Sequence, residues 1–212
     1  MHFFPEHISE YAEHFTAEEP PLLRALNRET QAKVLYPQML CGHLQGRLLS
    51  FISKMIVPRY IVEIGTYTGY SALCLAEGLR PGGKLVTIDN NEELVPMCKK
   101  YFQRAGMNKK IILRTGNARK ISPLLKGNID LALIDADKEN YVFYYETLFP
   151  KIRKGGVLIA DNVLWSGKVT DERVRDKDTR GIRAFNERVK KDSRAVPLLL
   201  PVRDGLMLIQ KK

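Results

Sequence analysis

The sequence predicts an α/β protein: a doubly wound, seven-stranded, mostly parallel sheet with one antiparallel strand near the C-terminus, preceded by a helical extension. Three observations predict it. From residue 58 onward, short apolar runs rich in β-branched residues alternate with longer segments of helical period. The junction Gly65-Thr-Tyr-Thr-Gly69 is a glycine turn between a strand-like and a helix-like run. The last two strand-like runs have no helix between them, so one of them must run antiparallel.

The elements follow in order. Residues 1–57 read as helical, with helices from Glu6 to Phe15 and from Glu18 to Val34, where Pro20 and Pro21 are tolerated near a helix start. A third spans roughly Leu44 to Val57 and is ended by Pro58, with Met39 to Gly46 read as a loop before it. Strands are expected at Tyr60–Ile64, Lys84–Ile88, Ile111–Arg114, Ile129–Ile134, Gly156–Ala160, Ala195–Leu200 and Gly205–Ile209. Helices are expected at Tyr70–Leu79, Asn91–Ala105, Ala118–Leu125, Lys138–Phe149 and Thr179–Lys191. With no repeats or linker, residues 1–212 read as a single domain, 1–57 its N-terminal helices and 58–212 its α/β core. The stretch from Asn162 to Asp178 is charged and too long for a passive connection, which marks it as a lid or rim.

Composition narrows the class. Hydrophobic residues make up 44% and charged residues 27%, ordinary values for a globular domain that closes its core without disulfides or structural metal. No apolar run approaches the ~20 residues of a membrane span, and the N-terminus lacks a signal-peptide pattern, so a cytoplasmic protein with no membrane partner is expected. Cys41, Cys74 and Cys98 form no C-x-x-C pair, and all four histidines precede the glycine turn without a ligand pattern. Zinc and dithiol chemistry are therefore not indicated. The net charge of +10 permits an anionic partner, although basic residues spread over helix faces are usually only solvated.

In doubly wound sheets ligands bind beyond the carboxyl ends of the strands. Here those ends carry Glu63, Asp89, Asp135 and the pair Asp161-Asn162. Any one of them reads as a helix cap, but four on one rim read as a site. At the glycine turn, backbone N–H groups form a pocket for a close ligand, and the dinucleotide pattern G-x-G-x-x-G is absent. Asp89 suits the ribose diol of a nicotinamide or an adenosyl ligand alike. The sparse glycines and the carboxylate of Glu63 favour a cationic, phosphate-free adenosyl ligand. S-adenosylmethionine fits, with its ammonium at Glu63, its ribose at Asp89 and its carboxylate at the N–H and hydroxyl of Ser71. Asp135, Asp161 and Asn162 offer only hard oxygen ligands, which suit Mg²⁺. Lys138, three residues after Asp135, points to the same place. Beside a bound cation and partly desolvated, its pKa would fall, making it a general base; the simpler reading is a surface lysine paired with Asp137 or Glu139.

Three blocks carry a resemblance. Glu63-Ile-Gly-Thr-Tyr-Thr-Gly-Tyr-Ser-Ala72, Ile134-Asp-Ala-Asp-Lys-Glu-Asn-Tyr141 and Asp161-Asn-Val-Leu-Trp-Ser-Gly-Lys-Val169 together resemble the caffeoyl-CoA and catechol O-methyltransferase family, in matching order over about residues 30 to 212. The resemblance implies a class I, Rossmann-like fold. It also implies divalent-metal-dependent transfer of a methyl group from S-adenosylmethionine to one hydroxyl of a vicinal aromatic diol. By that pattern Asp135, Asp161 and Asn162 hold the metal (Mg²⁺, or another divalent cation such as Ca²⁺ or Mn²⁺) and Lys138 is the base. Glu63, Gly65, Tyr67, Ser71, Asp89, Ala118 and Asp135 surround the cofactor, Met39 packs over its sulfonium side, and Asp137 approaches the adenine. Cys41 stands where plant members carry threonine, and nothing in the N-terminal helices matches an acyl-group pocket. Trp165 is read as shaping the acceptor pocket.

The acceptor is thus expected to be a phenolic small molecule. A second reading is the 5-hydroxyl of hydroxylated wobble uridine in tRNA, which bacterial relatives modify and which the basic charge suits. The resemblance also implies a homodimer, through the apolar N-terminal helices or the C-terminal strand hairpin.

Overall fold

Residues 5–212 are described by a computed structural model. Its sheet has seven strands in the order β3-β2-β1-β4-β5-β7-β6, with β7 alone antiparallel to its neighbours. The chain divides after Asn117 into two compact units.

The first unit holds α1 (Glu6–His14), α2 (Pro21–Lys33), α3 (Gly42–Ile56), β1 (Tyr60–Ile64), α4 (Tyr70–Ala76), β2 (Lys84–Asp89), α5 (Val95–Arg104) and β3 (Ile111–Thr115). Parallel register sets Glu63 opposite Thr87 and Asp89 opposite Thr115, so these strands end level. Ile61, Val62, Leu85, Ile88 and the α4 run Ala72–Ala76 are buried, as continuous β-branched and helical apolar runs require. The expected loop from Met39 to Gly46 is in part helix, because α3 begins at Gly42. A Cβ on Gly46 would meet the Tyr70 ring at 2.6 Å, so what reads as a loop glycine is where α3 and α4 touch.

The second unit holds α6 (Ala118–Ile121), β4 (Ile129–Ile134), α7 (Tyr141–Leu148), β5 (Ile152–Ala160), α8 (Lys177–Lys190), β6 (Ala195–Leu200) and β7 (Leu206–Lys211). Ile134 pairs with Ala160, so the next residues, Asp135 and Asp161, leave adjacent strands at the same level. Under them lies an aromatic core in which Tyr141 and Tyr145 both meet Phe185 edge-on. β5 begins four residues before the expected Gly156, at Ile152, carrying exposed Arg153 and Lys154 on its early turn of ladder. The stretch from Asn162 to Asp178 contains a 3₁₀ segment, Trp165–Thr170. No helix among the described residues is long and apolar enough to cross a membrane.

Candidate active site

The glycine turn of the first unit is held by the acid at the end of the next strand. Asp89 Oδ2 accepts the N–H groups of Thr66 at 2.9 Å and Tyr67 at 2.7 Å, and its Oδ1 accepts that of Asn91 at 2.9 Å. Gly65 N–H donates to the Ile88 carbonyl and Gly69 N–H to that of Thr66. The turn therefore does not present the pocket of outward N–H groups that its glycines suggest; four of those groups are bonded within the protein. This geometry disfavours a phosphate more directly than the missing third glycine does. Gly65 and Gly69 have φ of 100° and 91°, and Tyr67 is left-handed at 49°, so the turn needs its glycines for backbone shape.

Glu63 is fully buried at the end of β1, and Thr87 Oγ1 donates to its Oε2 at 2.5 Å. A buried carboxylate at a strand end is costly unless the charge is matched, which a cationic ligand does. Ser71 is half-buried in the first turn of α4. Tyr67 donates its hydroxyl to the Tyr36 carbonyl at 2.8 Å, tying the turn to the segment before Met39, and burial raises its pKa. Met39 itself is exposed, and Cys41 beside it is buried.

In the second unit the strand-end oxygens converge on one cation. Lys138 is buried, and its Nζ lies 3.1 Å from Asp135 Oδ1, 3.0 Å from Asn162 Oδ1 and 2.6 Å from the Tyr141 hydroxyl. The expectation of a surface lysine paired with Asp137 or Glu139 is thereby displaced. Burial works to lower its pKa, but Tyr141, Asp135 and Asp161 outweigh it and hold the ammonium above the usual lysine range. The lowered pKa expected beside a bound cation is thus not a property of the protein alone. Asn162 has φ of 56°, a conformation asparagine tolerates, and its N–H donates to Asp161 Oδ1 at 2.7 Å. Among the described residues no three His, Cys, Asp or Glu cluster as metal ligands. The set read from the sequence has two acids and an amide, and a buried ammonium already bridges oxygens from two of its three members, so these donors fit a hard divalent cation.

Around this point, Trp165 is half-buried and left-handed at φ 48°, and the Lys138 Nζ lies 5.7 Å from its ring centre. Its indole N–H is buried and has no hydrogen-bond partner among the described residues. Asp137 is exposed and accepts from the Tyr144 hydroxyl at 2.6 Å, while Ala118 opens α6.

The O-methyltransferase family profile matches residues 13–212. The chain belongs to the O-methyltransferase family. It is an enzyme of the class I, S-adenosylmethionine-dependent type. It is 36% identical over 198 residues to the catechol O-methyltransferase domain-containing protein 1 of Mus musculus, covering 91% of this chain and 75% of that one. It is 35% identical over 206 residues to the caffeoyl-CoA O-methyltransferase of Mesembryanthemum crystallinum, covering 91% and 80%. Its fold superposes with a TM-score of 0.90 on the O-methyltransferase from Bacillus cereus solved in complex with SAH, at 29% identity and 97% coverage of both chains.

Several residues of this O-methyltransferase escaped sequence reasoning. Thr87 sits mid-strand and looks like an ordinary β-branched residue, yet it bonds Glu63. Tyr141 closes the quoted Asp135–Tyr141 block but reads as the start of an apolar helix face. Asp204 accepts the Ser166 N–H at 2.5 Å and its carbonyl accepts that of Leu164, which pins the Trp165 segment to the β6–β7 turn. Only the tertiary fold shows these pairings.

Proposed function

We propose that this enzyme transfers the methyl group of S-adenosylmethionine to one hydroxyl of a vicinal aromatic diol on a small phenolic molecule, with a divalent cation as cofactor. One observation carries the reading: oxygens of Asp135 and Asn162, from adjacent strand ends, converge on the buried amine of Lys138. Asp135, Asp161 and Asn162 would hold the cation, Mg²⁺ by the hardness of its donors or else Ca²⁺ or Mn²⁺. When bound, the cation acts as a Lewis acid that lowers the pKa of a chelated hydroxyl from near 10. Lys138, as the free amine, would take the acceptor hydroxyl's proton, and the oxygen lone pair would form the new O–CH₃ bond as the S–CH₃ bond breaks and the sulfonium becomes a neutral thioether. A cation on Asp135 and Asp161 would offset two of the groups that raise the lysine's pKa, with burial working in the same direction and the Tyr141 hydroxyl against it. Glu63 pairs with the donor's ammonium, Ser71 with its carboxylate, and the remaining lone pair of Asp89 Oδ1 with its ribose. Gly65, Tyr67, Met39, Ala118 and Asp137 flank the donor, and Trp165 gives the acceptor ring a flat wall.

A methyl-transfer assay with labelled donor and Mg²⁺, offering caffeate-type catechols beside undermodified tRNA, tests this. Labelled catechol is the expected result; labelled tRNA with inert catechols would overturn it. The tRNA reading has one observation in its favour: Arg173, Arg175, Lys177 and Arg180, all exposed, follow the Asp161-Asn162 strand end. A uridine hydroxyl with its neighbouring carbonyl chelates a cation as a catechol does.

The proposed partner is a second copy of the chain, through α1 and α3. α1 has no buried residue; its less exposed positions are the small Ser9 and Ala12, while Ile8, Tyr11 and, just beyond it, Phe15 lie exposed. Phe51, Met55 and Val57 are exposed on and just after α3. At exposures of 45 to 71%, these six side chains offer on the order of 800 Å², one side of a standard interface. Arg47 and Lys54 of α3 are engaged by Glu77 of the same chain, so the two-fold pairing rests on the apolar surface of α1 and α3.

A further inference from the structure

We infer that Tyr141 is a positioning residue for methyl transfer, its hydroxyl aiming the Lys138 amine at the oxygens of Asp135 and Asn162. This rests on the reading of Lys138 as the base. Tyr141 is the first residue of α7 and is fully buried. Its hydroxyl donates to the Asp161 carbonyl at 2.9 Å, with the Ile134 carbonyl at 3.4 Å, so it reaches the ends of both β4 and β5. A phenol has one proton and a carbonyl can only accept. With that proton committed to the strand ends, the phenol oxygen faces Lys138 as an acceptor, 2.6 Å from Nζ.

The polarity of this chain of bonds dictates the geometry of the amine. One lysine N–H is held by Tyr141, and the directions that remain meet Asp135 Oδ1 at 3.1 Å and Asn162 Oδ1 at 3.0 Å. A four-carbon stem otherwise leaves an amine free to pivot, so a fixed acceptor behind it turns a flexible group into an oriented one. The hydroxyl is itself held by packing: the Tyr141 ring meets Phe185 of α8 edge-on, with centroids 5.5 Å apart. Replacing Tyr141 by Phe keeps that ring contact and removes only the oxygen.

The test is a double-mutant cycle on the full chain, comparing wild type, Tyr141→Phe, Lys138→Met and the double variant. Tyr141→Phe is expected to lower kcat ten- to a hundredfold, on the order of what misorientation costs, with acceptor KM changed far less. Donor affinity by calorimetry should stay within about twofold, and in the Lys138→Met background the substitution should change kcat by no more than about twofold. A readout independent of turnover is acylation of Lys138 by acetic anhydride, followed by peptide mass spectrometry. Its rate relative to the other lysines should rise in Tyr141→Phe as the amine loses its anchor. Wild-type kcat in Tyr141→Phe, an equal loss in the Lys138→Met background, or an unchanged acylation rate each overturns the inference. Full activity of Lys138→Met would instead remove the base assignment and this inference with it.

Discussion

Gly181 of α8 lies against the backbone of Lys138: a Cβ in place of its hydrogen would stand 2.5 Å from the Lys138 carbonyl oxygen and 2.8 Å from the Glu139 Cα. Both neighbours are backbone and cannot swing aside. The helix therefore sets the position of the turn that carries the amine. Gly181→Ala is expected to push that turn outward, destabilising the fold by about 1–3 kcal/mol as overpacking does. Turnover should fall further than stability explains, with donor affinity retained. Thermal unfolding, calorimetry and kcat on one preparation check this, and a variant with wild-type kcat would show that Lys138 tolerates displacement.

On the proposed function, the two sets of strand-end acids divide the work, Asp89 serving donor binding and Asp161 the chemistry. Asp161→Ala is expected to abolish methyl transfer while keeping most donor binding. Asp89→Ala is expected to weaken donor binding, because the N–H groups of Thr66 and Tyr67 lose their acceptor and the turn loses its shape. Losing three charge-assisted bonds predicts at least a tenfold rise in donor Kd. Calorimetry with donor alone distinguishes the two variants; equal loss of binding in both would contradict the division of roles.

Arg183 holds the segment after the Asp161-Asn162 strand end. Its guanidinium donates to the carbonyls of Val169 at 3.0 Å and of Val174 and Lys168 at 2.7 Å, and also to that of Asp171. A lysine has three donors on one nitrogen and cannot span four carbonyls. Arg183→Lys should loosen residues 168–174, and limited proteolysis should cut there several-fold faster than in wild type. Acceptor KM is expected to rise with kcat little changed.

Glu77 joins α3 to the end of α4, accepting from Arg47 at 2.7 and 3.1 Å, from Ser50 at 2.7 Å and from Lys54 at 2.8 Å. Burial pushes its pKa up, but these partners more than offset that and lower it from 4.5 to about 2. A depressed folded-state pKa means the unfolded chain binds more protons between these values. Its contribution to stability is thus complete above about pH 4.5 and is lost as the pH falls toward 2. Glu77→Gln should cost about 1–3 kcal/mol at pH 7. The difference from wild type should shrink through that window in denaturant titrations; a constant difference would show that the carboxylate's charge is not what matters.

The α1–α3 face predicts self-association. Phe51→Glu with Met55→Glu, both on exposed positions, should convert a species near twice the 24.2 kDa chain mass into a monomer by light scattering, with a rise in dissociation constant of roughly thirtyfold or more. A monomeric wild type, or a dimer indifferent to these changes, would place the contact elsewhere or nowhere.

Much of this was legible from residue order, for a physical reason. The strands Tyr60–Ile64 and Ile129–Ile134 fall where their apolar runs lie, because burial on both faces leaves a one-dimensional trace, and Ala195–Leu200 falls on its apolar run although most of that strand is exposed. The acids at the strand ends were equally visible, since the chain reverses just after each one. Less legible were α3 starting at Gly42 and β5 at Ile152, where packing and pairing overrode local composition.

The residues alone therefore determined the fold class, the family and the acids at individual strand ends, all properties that repeat along the chain or survive as motifs. Only the tertiary structure decided what those acids face. It turned the N–H groups of the glycine turn inward to Asp89, drew Lys138 off the surface into the oxygens of Asp135 and Asn162, and set Tyr141 behind it and Gly181 beneath it. Such pairings depend on which elements lie side by side, and no periodicity in a single strand or helix records its neighbour.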